Sequence, residues 1–218
     1  MAMNSIKQTL TTIEQSPFDV ILRMKSFMMT SAARNPLTTG ASEKYKIHAG
    51  TPIGPIGNGF VAPIIRSRIT TTAPSGSTSV YVNDVTGFKA DDVLLYYKTL
   101  NGTAAVATVS TVTDGSNLIT LTDAITAAAG DFIEVAANGG HGNTTVANPV
   151  QIPDACILLY DVETLGADDT TAIPVECVGV DLGSIRTTNL TGSCCSTFDT
   201  MLRDQLPGIR FDAATVGS

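Results

Sequence analysis

Apolar and polar residues alternate in the manner of strands between Ser77 and Val135. This stretch contains Ser79-Val80-Tyr81-Val82, Asp92-Val93-Leu94-Leu95-Tyr96-Tyr97, Ala105-Val106-Ala107-Thr108-Val109, Asn117-Leu118-Ile119-Thr120-Leu121 and Asp131-Phe132-Ile133-Glu134-Val135. Turn pairs separate them at Gly87-Phe88, Asn101-Gly102, Asp114-Gly115 and Gly130-Asp131. Short alternating strands with regular turns predict a small β-barrel. Polar, small-residue junctions bound it, Pro74-Ser75-Gly76-Ser77 at the entry and Asn138 to Asn143 at the exit. The barrel with its linkers, 76–143, therefore reads as an insert in a discontinuous β domain made of 43–75 and 144–218. Removing Ser77–Val135 is expected to leave that outer domain intact.

The outer domain has its own strand signals. Tyr45-Lys46-Ile47-His48-Ala49-Gly50-Thr51-Pro52-Ile53-Gly54 reads as strand, tight turn and strand, and Gly59-Phe60-Val61-Ala62-Pro63-Ile64 as another. Ala155 to Val162 is a continuous apolar run of the kind found in central strands, and Ala172 to Val180 follows a polar turn. Phe198, Leu202 and Leu206 predict a short helix that stops at Pro207-Gly208.

The first 42 residues read as a separate, partly helical arm. Ser16-Pro17-Phe18-Asp19 has the residues of a helix start. Phe18, Ile21, Leu22, Met24, Phe27 and Met28 then fit helical spacing until Asn35-Pro36, and Ile6, Leu10 and Ile13 suggest a shorter helix before it. So short a helix needs a surface to pack on. Its own β domain, a neighbouring subunit and a scaffold surface all qualify, and Met24, Met28 and Met29 make the stripe adaptable. Deleting 1–42 is expected to weaken assembly and to leave the β body folded.

Composition narrows the function. The chain has 218 residues, 43% hydrophobic, 15% charged and 6% aromatic, without tryptophan, so its core is aliphatic. The net charge of −7 is uneven: residues 1–75 carry +5 and residues 76–218 carry −12. An acidic body argues against nucleic acid, whose backbone calls for clustered Lys and Arg. The basic start suits an acidic protein surface, or simply aids solubility. Met1 to Leu10 has no apolar signal core, and no run approaches the roughly 18 apolar residues of a membrane span. The N-x-S/T triplets at Asn101, Asn143 and Asn189 carry no meaning without a secretory route.

Catalysis has little to work with. Gly54, Gly57 and Gly59 do not form a nucleotide loop, because the spacing is wrong and Pro52 and Pro55 interrupt it. Asp91-Asp92 and Asp168-Asp169 are neighbours that should point apart or sit solvated in turns, not a glycosidase pair. His48 and His141 have no Cys or acid at metal-ligand spacing, and no G-x-S-x-G elbow exists. No catalytic residue, cofactor or metal is expected. Cys156 and Cys177 lie in apolar surroundings and read as buried thiols, whereas Cys194-Cys195 is available for inter-subunit disulfides in an oxidising setting.

Three segments carry a family resemblance. Ala49-Gly50-Thr51-Pro52-Ile53-Gly54, within Tyr45 to Pro63, is one. Ile157-Leu158-Leu159-Tyr160-Asp161-Val162-Glu163-Thr164, followed by Thr171-Ala172-Ile173-Pro174-Val175, is the second. Leu206-Pro207-Gly208-Ile209-Arg210-Phe211 is the third. Together they resemble the head decoration, or capsid cement, proteins of tailed bacteriophages. The insert, opening on Val82 to Phe88, is similar to modules found in phage virion proteins.

The resemblance implies a mainly-β fold, a β-sandwich or β-tulip-like decoration domain with an inserted small β-barrel and a partly helical N-terminal arm. It also implies a homotrimer, assembled in the host cytoplasm, that binds the capsid exterior and cements neighbouring copies of the major capsid protein. The capsid or inter-subunit contact is then expected at Phe18, Ile21, Leu22, Met24, Phe27, Met28, Tyr45 and Ile47. The alternative is a receptor- or glycan-binding fibre or adhesin subunit, for which exposed tyrosines of the insert would be the evidence.

Overall fold

The computed structural model describes residues 18–31, 33, 46–57, 59–97, 105–135, 155–164, 172–186 and 206–212. It is mainly β, and the helical element among these residues is a 3-10 turn at Asp114–Ser116. The strands are β1 (Phe18–Met29), β2 (Lys46–Ile47), β3 (Pro52–Gly57), β4 (Phe60–Pro63), β5 (Arg66–Arg68), β6 (Ala73–Tyr81) and β7 (Val93–Tyr97). They continue with β8 (Ala105–Thr113), β9 (Leu118–Ala127), β10 (Phe132–Val135), β11 (Cys156–Leu158), β12 (Val162–Glu163), β13 (Val175–Arg186) and β14 (Ile209–Asp212).

The first sheet runs β1-β4-β3-β11-β13-β14, and β1 also pairs with β13, so five of its strands close on themselves. This overturns the expected helix over Phe18 to Met28. The same residues alternate as well as they follow a helical stripe, and Phe18, Val20, Ile21 and Phe27 favour strands. The twelve residues of β13 then supply a ladder from Phe18↔Ile185 to Met29↔Val175, and tertiary pairing decides between the two periods. The Ser16-Pro17 cap, the Ile6 to Ile13 stretch and most of the Phe198 to Leu206 helix lie outside the described residues.

β11 is apolar on both faces because each face has a core to fill. Cys156 and Leu158 join Met29, Ile53, Val61 and Cys177, while Ile157 and Leu159 join Phe18, Ile64, Val180 and Ile185. Two glycines permit close approach. A Cβ on Gly179 would overlap Cys156 Sγ, and one on Gly208 would overlap the backbone oxygen of Asp181.

The second sheet runs β5-β10-β7-β8-β9-β6. A bridge between Ile69 and Val82, with Thr70 N bonded to Tyr81 O (2.9 Å) and Asn83 N to Arg68 O (2.9 Å), brings the end of β6 back beside β5, so the sheet is curled and partly barrel-like. Its core includes Ile65, Val80, Leu94, Val109, Ile119 and Ile133. This sheet starts earlier than the expected junction: Arg66–Arg68 is one of its strands, and Pro74-Ser75-Gly76-Ser77 lies inside β6. The divide falls between neighbours, with Ile64 in a core of the first sheet and Ile65 in that of the second. Arg66 and Glu134, opposite each other on β5 and β10, form a fully buried ion pair (Nη2–Oε2 2.9 Å, Nε–Oε2 3.0 Å) that fixes the register there.

Two turns of the second sheet repeat one design. Ahead of β7, Asp92 Oδ2 accepts from Lys89 N (2.9 Å) and Asp92 N donates to Lys89 O (3.3 Å). Ahead of β10, Asp131 Oδ2 accepts from Ala128 N (2.8 Å) and Asp131 N donates to Ala128 O (3.1 Å). The residue before each aspartate is left-handed, Asp91 at φ 67° and Gly130 at φ 97°.

Candidate interaction surface

β1 brings exposed apolar side chains together on a fixed strand. Leu22 is 69% exposed, Met24 54%, and Ile21 and Met28 38% each; these are four of the seven large hydrophobics exposed among the described residues. Met24, Ser26 and Met28 share a face by alternation and stand opposite Val180, Val178 and Glu176. Leu22 sits where β1 carries an extra residue, between the pairs Ile21↔Gly183 and Arg23↔Leu182. β4 meets β1 only at Met28 and Met29, so most of the strand runs past the end of β4.

The expected contact residues thus divide. Ile21, Leu22, Met24 and Met28 are surface; Phe27 is half-buried and packs on a core. Phe18 and Ile47 are core residues of their own chain, because Phe18 opens the β1 ladder under Ile185 and Ile47 pairs with Val162 of β12. Tyr45 lies outside the described residues.

A charge cluster sits on the same strand. Arg23 Nε lies 2.7 Å from Asp181 Oδ1 and Lys25 Nζ 3.0 Å from Asp181 Oδ2. The Asp181 side chain is almost wholly buried, whereas Arg23 and Lys25 reach water, with side chains 59% and 38% exposed. Burial alone would raise the Asp181 carboxyl. The hydrogen bonds and charges of Arg23 and Lys25 outweigh it and hold the group below its usual 3.8.

Several of the groups screened for chemistry make contacts that tie the fold together. His48 Nδ1 and Lys46 Nζ each lie 3.5 Å from Asp161 Oδ2, while Asp161 Oδ1 accepts from Ala49 N (2.8 Å), which ties the β2 turn to the start of β12. Sequence spacing missed that acidic partner, which lies more than a hundred residues away. Asp92 is buried and bonded within its turn, whereas Asp91 is exposed. Cys156 and Cys177 are buried thiols outside any disulfide; desolvation, helped by Glu176 and opposed by a Met29 backbone hydrogen bond, pushes Cys177 up to about 12.

Among the described residues no group of three His, Cys, Asp or Glu could hold a metal ion, and no helix is long and apolar enough to cross a membrane. Tyr81 on the second sheet is 44% exposed between buried Val80 and Val82. His141, Asp168, Asp169, Cys194 and Cys195 fall outside the described residues. The chain matches no protein-family model, and no curated protein is similar to it.

Proposed function

We propose that this chain is a structural virion protein that binds the outside of an icosahedral phage capsid as a homotrimer and cements neighbouring major capsid subunits. The observation that carries the reading is the β1 surface: large apolar side chains held in water on a strand whose other residues fill two cores. Exposed apolar groups gathered in this way favour burial against another protein. The sequence motifs at Ala49–Gly54, Ile157–Thr164 and Leu206–Phe211 supply the virion assignment by resemblance.

Cementing requires no chemistry. A protein spread across a seam adds contact area that must break before either capsid subunit moves outward, and a rigid β scaffold transmits that load without yielding. The test is co-sedimentation of the purified protein with genome-free shells of the virus that encodes it, beside a glycan array. Saturable shell binding and raised resistance of the shells to heat are expected. Indifference to shells, or specific glycan hits in place of shell binding, overturns the reading in favour of a fibre subunit.

A further inference from the structure

We infer that β1 takes up an extended strand of the major capsid protein along its open edge, so that the backbone ladder of the first sheet continues into a second protein. This deepens the proposed function and rests on it for the identity of the partner. Met28 N donates to Gly59 O (3.2 Å) and Thr30 N to Val61 O (3.0 Å), which marks the side of β1 that faces β4. The register against β13 runs unbroken from Met24 to Met29, so by alternation the backbone N–H and C=O groups of Met24 and Ser26 point to that same side. β4 begins only at Phe60, opposite Met28. Among the described residues no strand pairs with β1 on that side between Ile21 and Phe27, about 20 Å of strand at roughly 3.3 Å per residue. Met24 and Ser26 are exposed, and no proline interrupts Phe18–Met29. An open edge of this kind is a template for one more strand.

The side chains of β1 select the occupant. Arg23 and Lys25 share the single carboxylate of Asp181, which leaves one positive charge in excess on that face, while Met24 and Met28 present apolar surface on the other. A strand that alternates acidic and apolar residues complements both faces at once. A second copy of this chain does not supply it from the ends of its sheets. Another β1 would set Arg23 and Lys25 against like charges, and β14 has four residues, with Ile209 buried in its own core and Arg210 among its charges. The end strands of the second sheet are already brought side by side by the Ile69–Val82 bridge. The occupant is therefore a different protein, and on a shell that protein is the capsid subunit.

The experiment combines amide hydrogen exchange of the full chain, free and bound to genome-free shells, with shell co-sedimentation of Ser26→Pro and Ser26→Thr. Proline removes the N–H that faces the open side and leaves the bonds to β13 in place, and melting temperatures close to the parent's establish that both variants are folded. Exchange at Met24 and Ser26 is expected to slow at least about tenfold on the shell, and the proline variant to bind shells on the order of tenfold more weakly, with the threonine variant like the parent. Unslowed exchange on the shell, a folded proline variant that binds as the parent does, or an equal loss for threonine overturns this inference and leaves the cement reading standing. Should the proline variant fail to fold, exchange on the parent decides alone. A parent that binds no shell overturns both.

Discussion

Gly130 and Asp91 hold the same place in two copies of one turn, and the backbone there is left-handed in both. Nothing lies within 4 Å of a Cβ built on Gly130, so substitution there meets only the intrinsic cost of positive φ. Gly130→Ala is expected to lose about 1 kcal/mol in chemical denaturation, and Gly130→Asp less, because aspartate tolerates this region as Asp91 already does. Equal losses for the two variants would show that the turn does not depend on this preference. A second residue-scale test lies at Asp181. Its folded-state value is depressed below 3.8, so its stabilisation is complete above that pH and fades as pH falls through the folded value. Asp181→Asn should therefore lose about 1–2 kcal/mol near neutrality and show a shallower loss of stability below pH 4 than the parent, read from denaturant midpoints against pH.

At the scale of elements, β1 decides how the N-terminus behaves. Phe18, Phe27 and Met29 of this strand fill two separate cores, and Arg23 and Lys25 neutralise buried Asp181. Deleting residues 1–42 is therefore expected to unfold the first sheet, against the sequence-based expectation of an intact body, and circular dichroism with amide exchange would show the second sheet alone protected. A fully folded truncation would refute the role given to β1. The strands of the insert were legible because each carries its own alternation and its own turn residues. β1 was not, because Phe18, Ile21, Leu22, Met24, Phe27 and Met28 satisfy both periods and the arbiter, β13, lies far along the chain. The candidate surface was half legible: apolar residues announce that something is to be buried, but which are already buried, as Phe18 and Ile47 are, depends on distant partners.

For the whole molecule the decisive fact is that its cores do not share sequence. All buried residues of the second sheet's core fall between Ile65 and Val135, and none of those in the other two cores does. Entry and exit also lie side by side, since Val135 N donates to Ile65 O (2.9 Å) and β5 pairs with β10. A cut at Ser77 ignores this geometry. It would leave β5 behind, with Ile65 and Ile69 stripped of their core and Arg66 without Glu134, and orphaning one partner of a buried ion pair costs about 3–5 kcal/mol where the site stays buried. Excision of Ile65–Val135 with a short Gly-Ser splice should instead yield a soluble chain with one cooperative unfolding transition, whereas excision of Ser77–Val135 should give an aggregating product. If both excised chains melt alike, the two sheets are not the independent units that their separate cores imply. If only the longer excision folds and it still sediments with shells, the insert adds a function to the cement scaffold without being part of the grip.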